Sequence, residues 1–267
     1  YQWSTGQTGQ SITVNPVTTT TYNVTASDAN GCTAVDQVTV TVGSAVANAG
    51  PDQTICLGTS TTLSATGGTS YQWSTGATTQ SITVNPSSTT TYTVTVSDVN
   101  GCTDVDQVTV NVSSVTVEAG PNQTICLGSS TTLNATGTGT FYQWSTGATT
   151  QSITVNPSST TTYTVTVSDV NGCTDVDQVT VNVSSVTVEA GPNQTICLGS
   201  STTLNATGTG TFYQWSTGQT GATISVNPAT TTTYSVTASD ANGCTAVDQV
   251  TVTAVSYTHL RAHETIP

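Results

Sequence analysis

The chain has 267 residues, a formal net charge of −13, no Met, and a single residue among Lys and Arg. That residue, Arg261, and both histidines, His259 and His263, fall in the last nine positions, so everything before them carries 13 acids and no basic side chain. Nucleic-acid binding and attachment to anionic lipid both need cations to displace counterions, and a His-based nucleophilic triad needs an imidazole; the body of the chain has neither. No apolar stretch approaches the length of a membrane span.

The string YQWSTG occurs four times, with its tryptophan at Trp3, Trp73, Trp144 and Trp215. The 70- and 71-residue spacings are too long for a solenoid turn and fit one small domain per copy. The expected boundaries are 1–44 for the second half of a unit, then 45–114, 115–185 and 186–254 for complete units, with 255–267 a non-repeat tail. Tandem copies of a small domain build length, so the chain reads as part of a rod. It starts inside a repeat and reads as a fragment of something longer.

The copy at 45–114 gives the elements in order. Gly50, Pro51 and Gly58 punctuate its start. Leu63 and Ala65 alternate with polar neighbours, as on a half-buried strand; Tyr71 and Trp73 follow, then a turn at Gly76. Ile82 and Val84 form the next inward pair, stopped by Asn85-Pro86. Tyr92, Val94 and Val96 lie on a longer strand that ends in Asp98-Val99-Asn100-Gly101, where Asn-Gly supplies the positive φ of a hairpin. Val108, Val110 and Val112 close the unit. Threonine, 66 residues by count, and valine dominate, and both suit a pleated surface. No segment has helical periodicity. The expectation is an all-β chain of tandem β-sandwiches with six or seven short strands each.

The order L-x-A, Y-x-W, I-x-V, Y-x-V, N-G resembles an immunoglobulin-like sandwich. The resemblance implies that Trp73, Trp144 and Trp215 are strand-C core tryptophans. It places Tyr92, Tyr163 and Tyr234 at the tyrosine corner of strand F. It also places Ala65 and Val94 where the usual inter-sheet disulfide stands, so that bridge is absent. AGPDQTIC, YQWSTG and TTTYTVTVSDVNGC together resemble the PKD-like and Ig-like repeats of large Bacteroidota surface proteins, including gliding-associated adhesins, over Tyr1 to about Val252. YQWSTG replaces the WDFGDG of true PKD domains, which favours the Ig-like label. The tail AVSYTHLRAHETIP resembles translated sequencing-adapter read-through, and no function is assigned to residues 256–267.

Seven cysteines recur in two settings, after T-I and after N-G. No C-x-x-C is present, which argues against zinc. The count suggests pairs within each repeat: Cys56–Cys102, Cys126–Cys173 and Cys197–Cys244, leaving Cys32 alone. A second scheme, Cys32–Cys56, Cys102–Cys126 and Cys173–Cys197, puts a last strand and a first strand between the partners, too far for Cα atoms that must lie within about 7 Å. Free buried thiols are the third reading. In the standard Ig path the A–B and F–G turns lie at opposite ends. Only eight residues separate Trp73 from Ile82, however, which points to a missing strand D and an altered path. Bridges imply an oxidising compartment.

Other candidate chemistry is sparse. Asp98, Asn100 and Asp104, repeated as Asp169, Asn171 and Asp175, give a weak calcium pattern that is too short for an EF-hand, and a plain hairpin turn is the better reading. Asp104/Asp106 and Asp175/Asp177 share strand faces, where a solvated edge fits better than an acid–base pair. Outward Thr ladders could order water or carry sugars, but Thr is also an ordinary solvent-facing strand residue. No cofactor, metal or enzymatic activity is expected. The expected role is a structural stalk or adhesive repeat of a bacterial secreted or cell-surface protein, whose partner is a surface, glycan or protein. The alternatives are a glycan- or calcium-binding accessory module and a Thr-array ice- or surface-binding protein.

Overall fold

The structure, a computed structural model, describes residues 1–256; His259, Arg261, His263 and most of the segment read as adapter-derived lie outside them. Every regular element among the described residues is a strand. The described residues divide into two compact units, Tyr1–Ser114 with Val170–Cys173, and Val115–Asp169 with 174–256. Cys173, in the segment Val170–Cys173, is bonded to Cys56.

In the second sequence repeat, the strands Gln53–Cys56, Thr103–Ser113, Thr90–Ser97 and Ser70–Trp73 lie side by side in that order. Thr61–Ser64 pairs with Ser81–Val84 in a separate two-stranded sheet, Leu63 opposite Ile82. Gln53–Cys56 runs parallel to the end of Thr103–Ser113, with Cys56 opposite Ser113, while the other pairings are antiparallel. This is the immunoglobulin strand order A′GFC against BE, without strand D. The third and fourth repeats reproduce it, adding the short pairs Val117–Glu118 with Thr136–Gly137 and Val188–Glu189 with Thr207–Gly208.

The inward residues of the two sheets meet in a core. Leu63, Ala65, Val94, Val96, Val108 and Val110 are fully shielded, and Trp73 is 1% exposed. A fully buried Val or Leu contributes about 1.5–3 kcal/mol, so a unit of this size depends on nearly all of them. Two further buried clusters, around Trp144 and Trp215, each draw on one sequence repeat. Tyr163 and Tyr234 are buried in these clusters, whereas Tyr92 is half-buried against its own.

YQWSTG is the corner that carries the chain from one sheet to the other. Gly76, at φ 89°, donates to the Trp73 carbonyl at 2.9 Å, and the Trp73 amide donates to Ala77 O at 2.9 Å. The indole Nε1–H then reaches Thr79 O at 3.0 Å, which satisfies its polar atom while the ring stays in the core. Trp144 and Trp215 make the same bond to Thr150 and Gly221. The seven residues 74–80 complete this crossing, which is why no strand D fits.

The first repeat has only Gln2–Trp3, Thr20–Ser27 and Thr33–Val40, in one sheet. Its inward residues Trp3, Ile12, Val14, Tyr22, Val38 and Val40 line an open cleft of about 130 Å³.

Candidate functional site

The N-G-C turn is held by side-chain and backbone hydrogen bonds. Asp98 Oδ1 accepts the backbone N–H of Asn100 at 2.8 Å and of Cys102 at 2.9 Å. The backbone closes the same turn, Asp98 N–H donating to Cys102 O at 2.9 Å and Gly101 N–H to Asp98 O at 3.2 Å. Gly101 sits at φ 82°, a region that L side chains rarely adopt. The Cys102 N–H, more than any other group, holds the Asp98 carboxyl below its ordinary range. Asp28 and Asp240 clamp Cys32 and Cys244 in the same way.

Two of the calcium candidates, Asp104 and Asp175, accept backbone amides from the opening segments of their repeats. Asp104 accepts the Ala47 N–H at 2.8 Å, and Asp175 accepts that of Val117 at 2.8 Å. Their neighbours do likewise: Asp106 accepts Ala49 N–H at 2.8 Å, Asp177 accepts Ala119 N–H at 2.8 Å, and Asp248 accepts Ala190 N–H at 2.7 Å. Aspartates two apart on one strand match amides two apart on an extended neighbour, so each carboxylate pair stitches the opening segment of its repeat to the last strand. The spacing was visible in the sequence, but its partner was not. Asn100 packs within the turn, its side-chain amide donating to Asp98 at 3.4 Å. Among the described residues, no three His, Cys, Asp or Glu side chains gather where they could hold a metal.

The disulfides differ from the expected pairing. Cys56 is bonded to Cys173, with Cα atoms 5.3 Å apart, and Cys126 to Cys244, at 5.4 Å. Cys102, Cys197 and Cys32 are free thiols. The expected pairs Cys56–Cys102, Cys126–Cys173 and Cys197–Cys244 do not form, and strand register explains why. Cys56 lies opposite Ser113 at the end of strand Thr103–Ser113, while Cys102 precedes its start. Eleven residues of strand separate them by roughly 35 Å. Cys197, opposite Val255, stands in the same relation to Cys244. Loss of strand D leaves this standard path intact. The pairing also differs from Cys32–Cys56, Cys102–Cys126 and Cys173–Cys197. Instead, the T-I-C cysteine of one repeat bonds the N-G-C cysteine of the following repeat.

The bond at Cys244 shows how the two ends fit. Cys126 is held opposite Ser184 by parallel pairing, and the Ser184 hydroxyl donates to the Asp240 carboxylate. That bond is the first cause of the lowered Asp240 pKa. Cys244 is only 3% exposed. At the Asp98 turn, Gly43 occupies the corresponding place: a Cβ there would run into Asp98 Oδ2, the Asn100 side-chain amide and Cys102 Sγ.

The Thr ladders pair hydroxyls across strands. Thr21–Thr39, Thr91–Thr109, Thr162–Thr180 and Thr233–Thr251 lie 2.8, 3.1, 2.9 and 3.0 Å apart.

No protein-family model matches this sequence, and no curated protein matches it. Among solved structures, it is similar to the three titin domains I67–I69 (an E-to-A variant). The identity is 13% over 78% of this chain and 96% of that one, with a TM-score of 0.44. It is similar at 13% identity to Sidekick-1 immunoglobulin domains 1–5, over 90% of this chain and 67% of that one, TM-score 0.32. A Ca²⁺-stabilized adhesin with which an Antarctic bacterium binds ice is 19% identical over 90% of this chain and 82% of its own, TM-score 0.30. The Ig-like assignment stands on the strand order of this chain itself.

Proposed function

We propose that this chain is a load-bearing, adhesive repeat region of an extracellular or cell-surface bacterial protein. In this reading, residues 45–114, 115–185 and 186–254 are complete Ig-like units and 1–44 is half of one. The region spaces or presents a contact for a surface, glycan or protein, and it works without catalysis or a cofactor. The disulfides support an oxidising, extracytoplasmic setting. The sequence resemblance to Bacteroidota surface repeats supports the bacterial one.

The observation that carries the proposal is the covalent path through successive repeats. Under tension, the shortest route between Cys56 and Cys244 crosses to Cys173, runs backwards to Cys126 and crosses again. Only residues 126–173 can then be drawn out, about 160 Å of chain rather than about 640 Å for residues 56–244. A repeat region so tied yields little length even when its domains unfold.

Single-molecule stretching from the two termini tests this. The oxidised protein should release about 480 Å less between Cys56 and Cys244 than the reduced protein. Cys197→Ser should leave the oxidised release unchanged, because Cys197 lies outside both bridges. Equal release with and without reductant would contradict a load-limiting role.

A further inference from the structure

The repeats differ at the free edge of the strand that carries the core tryptophan. In the first and fourth repeats, Gly9 and Gly221, at φ 131° and 109°, fold back on that edge. Gly9 N–H donates to Tyr1 O at 3.2 Å, and Gly221 N–H to Tyr213 O at 3.0 Å. Thr150 stands in this place in the third repeat, and a β-branched residue disfavours a positive φ. Tyr142 O has no counterpart of the Tyr213 bond, and an open cleft of about 440 Å³ lies along this edge. Phe141, Gln143, Thr149, Thr166, Ser168 and Thr174 line it, with no charged side chain. Strand register gathers them: Phe141 lies opposite Ser168, Ser168 opposite Thr174, and Gln143 opposite Thr166. Phe141 is 57% exposed. Gln143 Nε2 donates to Trp144 O at 3.3 Å, which leaves Oε1 as an acceptor. The other repeats lack one part or the other. Phe212 holds the place of Phe141 in the fourth repeat, but beside the closed edge; the second repeat has Thr79 and an open edge, but Ser70 in place of the ring.

We propose that this cleft of the third repeat binds a neutral oligosaccharide, with one sugar ring stacked on Phe141. A pyranose presents C–H groups on one face and hydroxyls around its rim. That matches one exposed aromatic ring bordered by the Thr149, Thr166, Ser168 and Thr174 hydroxyls, Gln143 Oε1 and the free Tyr142 carbonyl. Charge selects within the class: the lining has no ionic group to pair with a ligand, and a chain of net charge −13 repels anionic saccharides. A peptide strand added to the same edge fits less well. Trp144 N–H already donates to Ala148 O at 2.8 Å, and Trp144 O accepts Gly147 N–H at 2.8 Å, so the edge offers an added strand little backbone to pair with. The inference rests on the adhesive reading and deepens it, placing the contact in one repeat and naming its ligand class.

The test is titration of the full chain, followed by amide NMR shifts, with three sets of probes. These are neutral oligosaccharides built from glucose, galactose, mannose or N-acetylhexosamine, uronic or sulfated oligosaccharides, and an uncharged Thr/Val peptide. At least one neutral saccharide should bind and shift the amides of Phe141 and Gln143. Phe141→Ser, which installs the residue of the second repeat, should weaken that binding at least about fivefold. Phe141→Tyr should keep it, and Phe212→Ser should leave it unchanged. Both phenylalanines are exposed, and unchanged circular dichroism would verify that the variants fold. Four outcomes overturn the proposal: no neutral saccharide binds, only the anionic set or the peptide binds, binding survives Phe141→Ser at full strength, or Phe212→Ser abolishes it. Each would leave the release of length under tension untouched, so a failure here is distinguishable from a failure of the load-bearing reading.

Discussion

Val38 and Val108 occupy the same position in the first and second repeats, yet Val38 is 48% exposed and Val108 is fully shielded. Both lie on the last strand of their repeat, opposite Tyr22 and Tyr92. The difference is the second sheet: Val108 shares a buried cluster with Leu63 and Ile82, and residues 1–44 have no equivalent of the Leu63 strand. The N-G-C turn, by contrast, is the same in both repeats, because its bonds span at most four residues. Hairpins and turns here follow from local sequence alone. Burial and disulfide bonding need elements far away in the chain.

The largest effect that would sharpen this contrast is at tryptophan. Trp144→Ala should cost about 3–5 kcal/mol, the range for a buried large aromatic, whereas the partly exposed Trp3→Ala should cost about 1 kcal/mol or less. Chemical denaturation followed by tryptophan fluorescence would measure both, and equal costs would break the comparison. The valine pair tests the same point with a smaller perturbation: Val108→Ala should cost about 2 kcal/mol and Val38→Ala a few tenths.

Acid should act on the complete repeats through the carboxylates that stitch their opening segments. Backbone N–H groups, foremost that of Ala49 for Asp106, Ala119 for Asp177 and Ala190 for Asp248, hold these pKa values below the ordinary 3.8. Groups with a depressed folded pKa contribute stability that is fully present above about 3.8 and is lost as pH falls through the lower folded values. Asp36, the counterpart in the first repeat, accepts the N–H of its neighbour Gln37. A triple Asp106→Asn, Asp177→Asn, Asp248→Asn variant should therefore show a flatter melting-temperature profile below pH 4. An unchanged acid limb would mean that these bonds are not the source. The smallest effect is expected at the Thr pairs: Thr91→Val and Thr21→Val should each cost about 0.2–1 kcal/mol, similarly in both repeats, because the pairing needs only adjacent strands.

These contrasts also mark what the sequence made legible. Alternation at Leu63/Ala65, Ile82/Val84 and Val94/Val96 is a local pattern with a local cause, and it located the sandwich strands and their inward faces. Asn-Gly located the hairpin for the same reason. The cysteine pairing was not legible, because it depends on Gln53–Cys56 running parallel to Thr103–Ser113. That register carries Cys56 to the end of the sandwich away from Cys102. The short Trp73–Ile82 connection suggested an altered path, but the residues it omits belong to strand D, which the A′GFC sheet does not need. The roles of Asp104 and Asp106 were hidden because their partners, Ala47 and Ala49, show no side-chain signal.

The central claim, that T-I-C of one repeat bonds N-G-C of the following one, can be read directly by nonreducing peptide mapping. Cleavage before each aspartate places all seven cysteines on different peptides. The account predicts the peptide of residues 52–97 linked to 169–174, and that of 106–168 linked to 240–247. Finding 106–168 linked to 169–174, and 177–239 linked to 240–247, would contradict it.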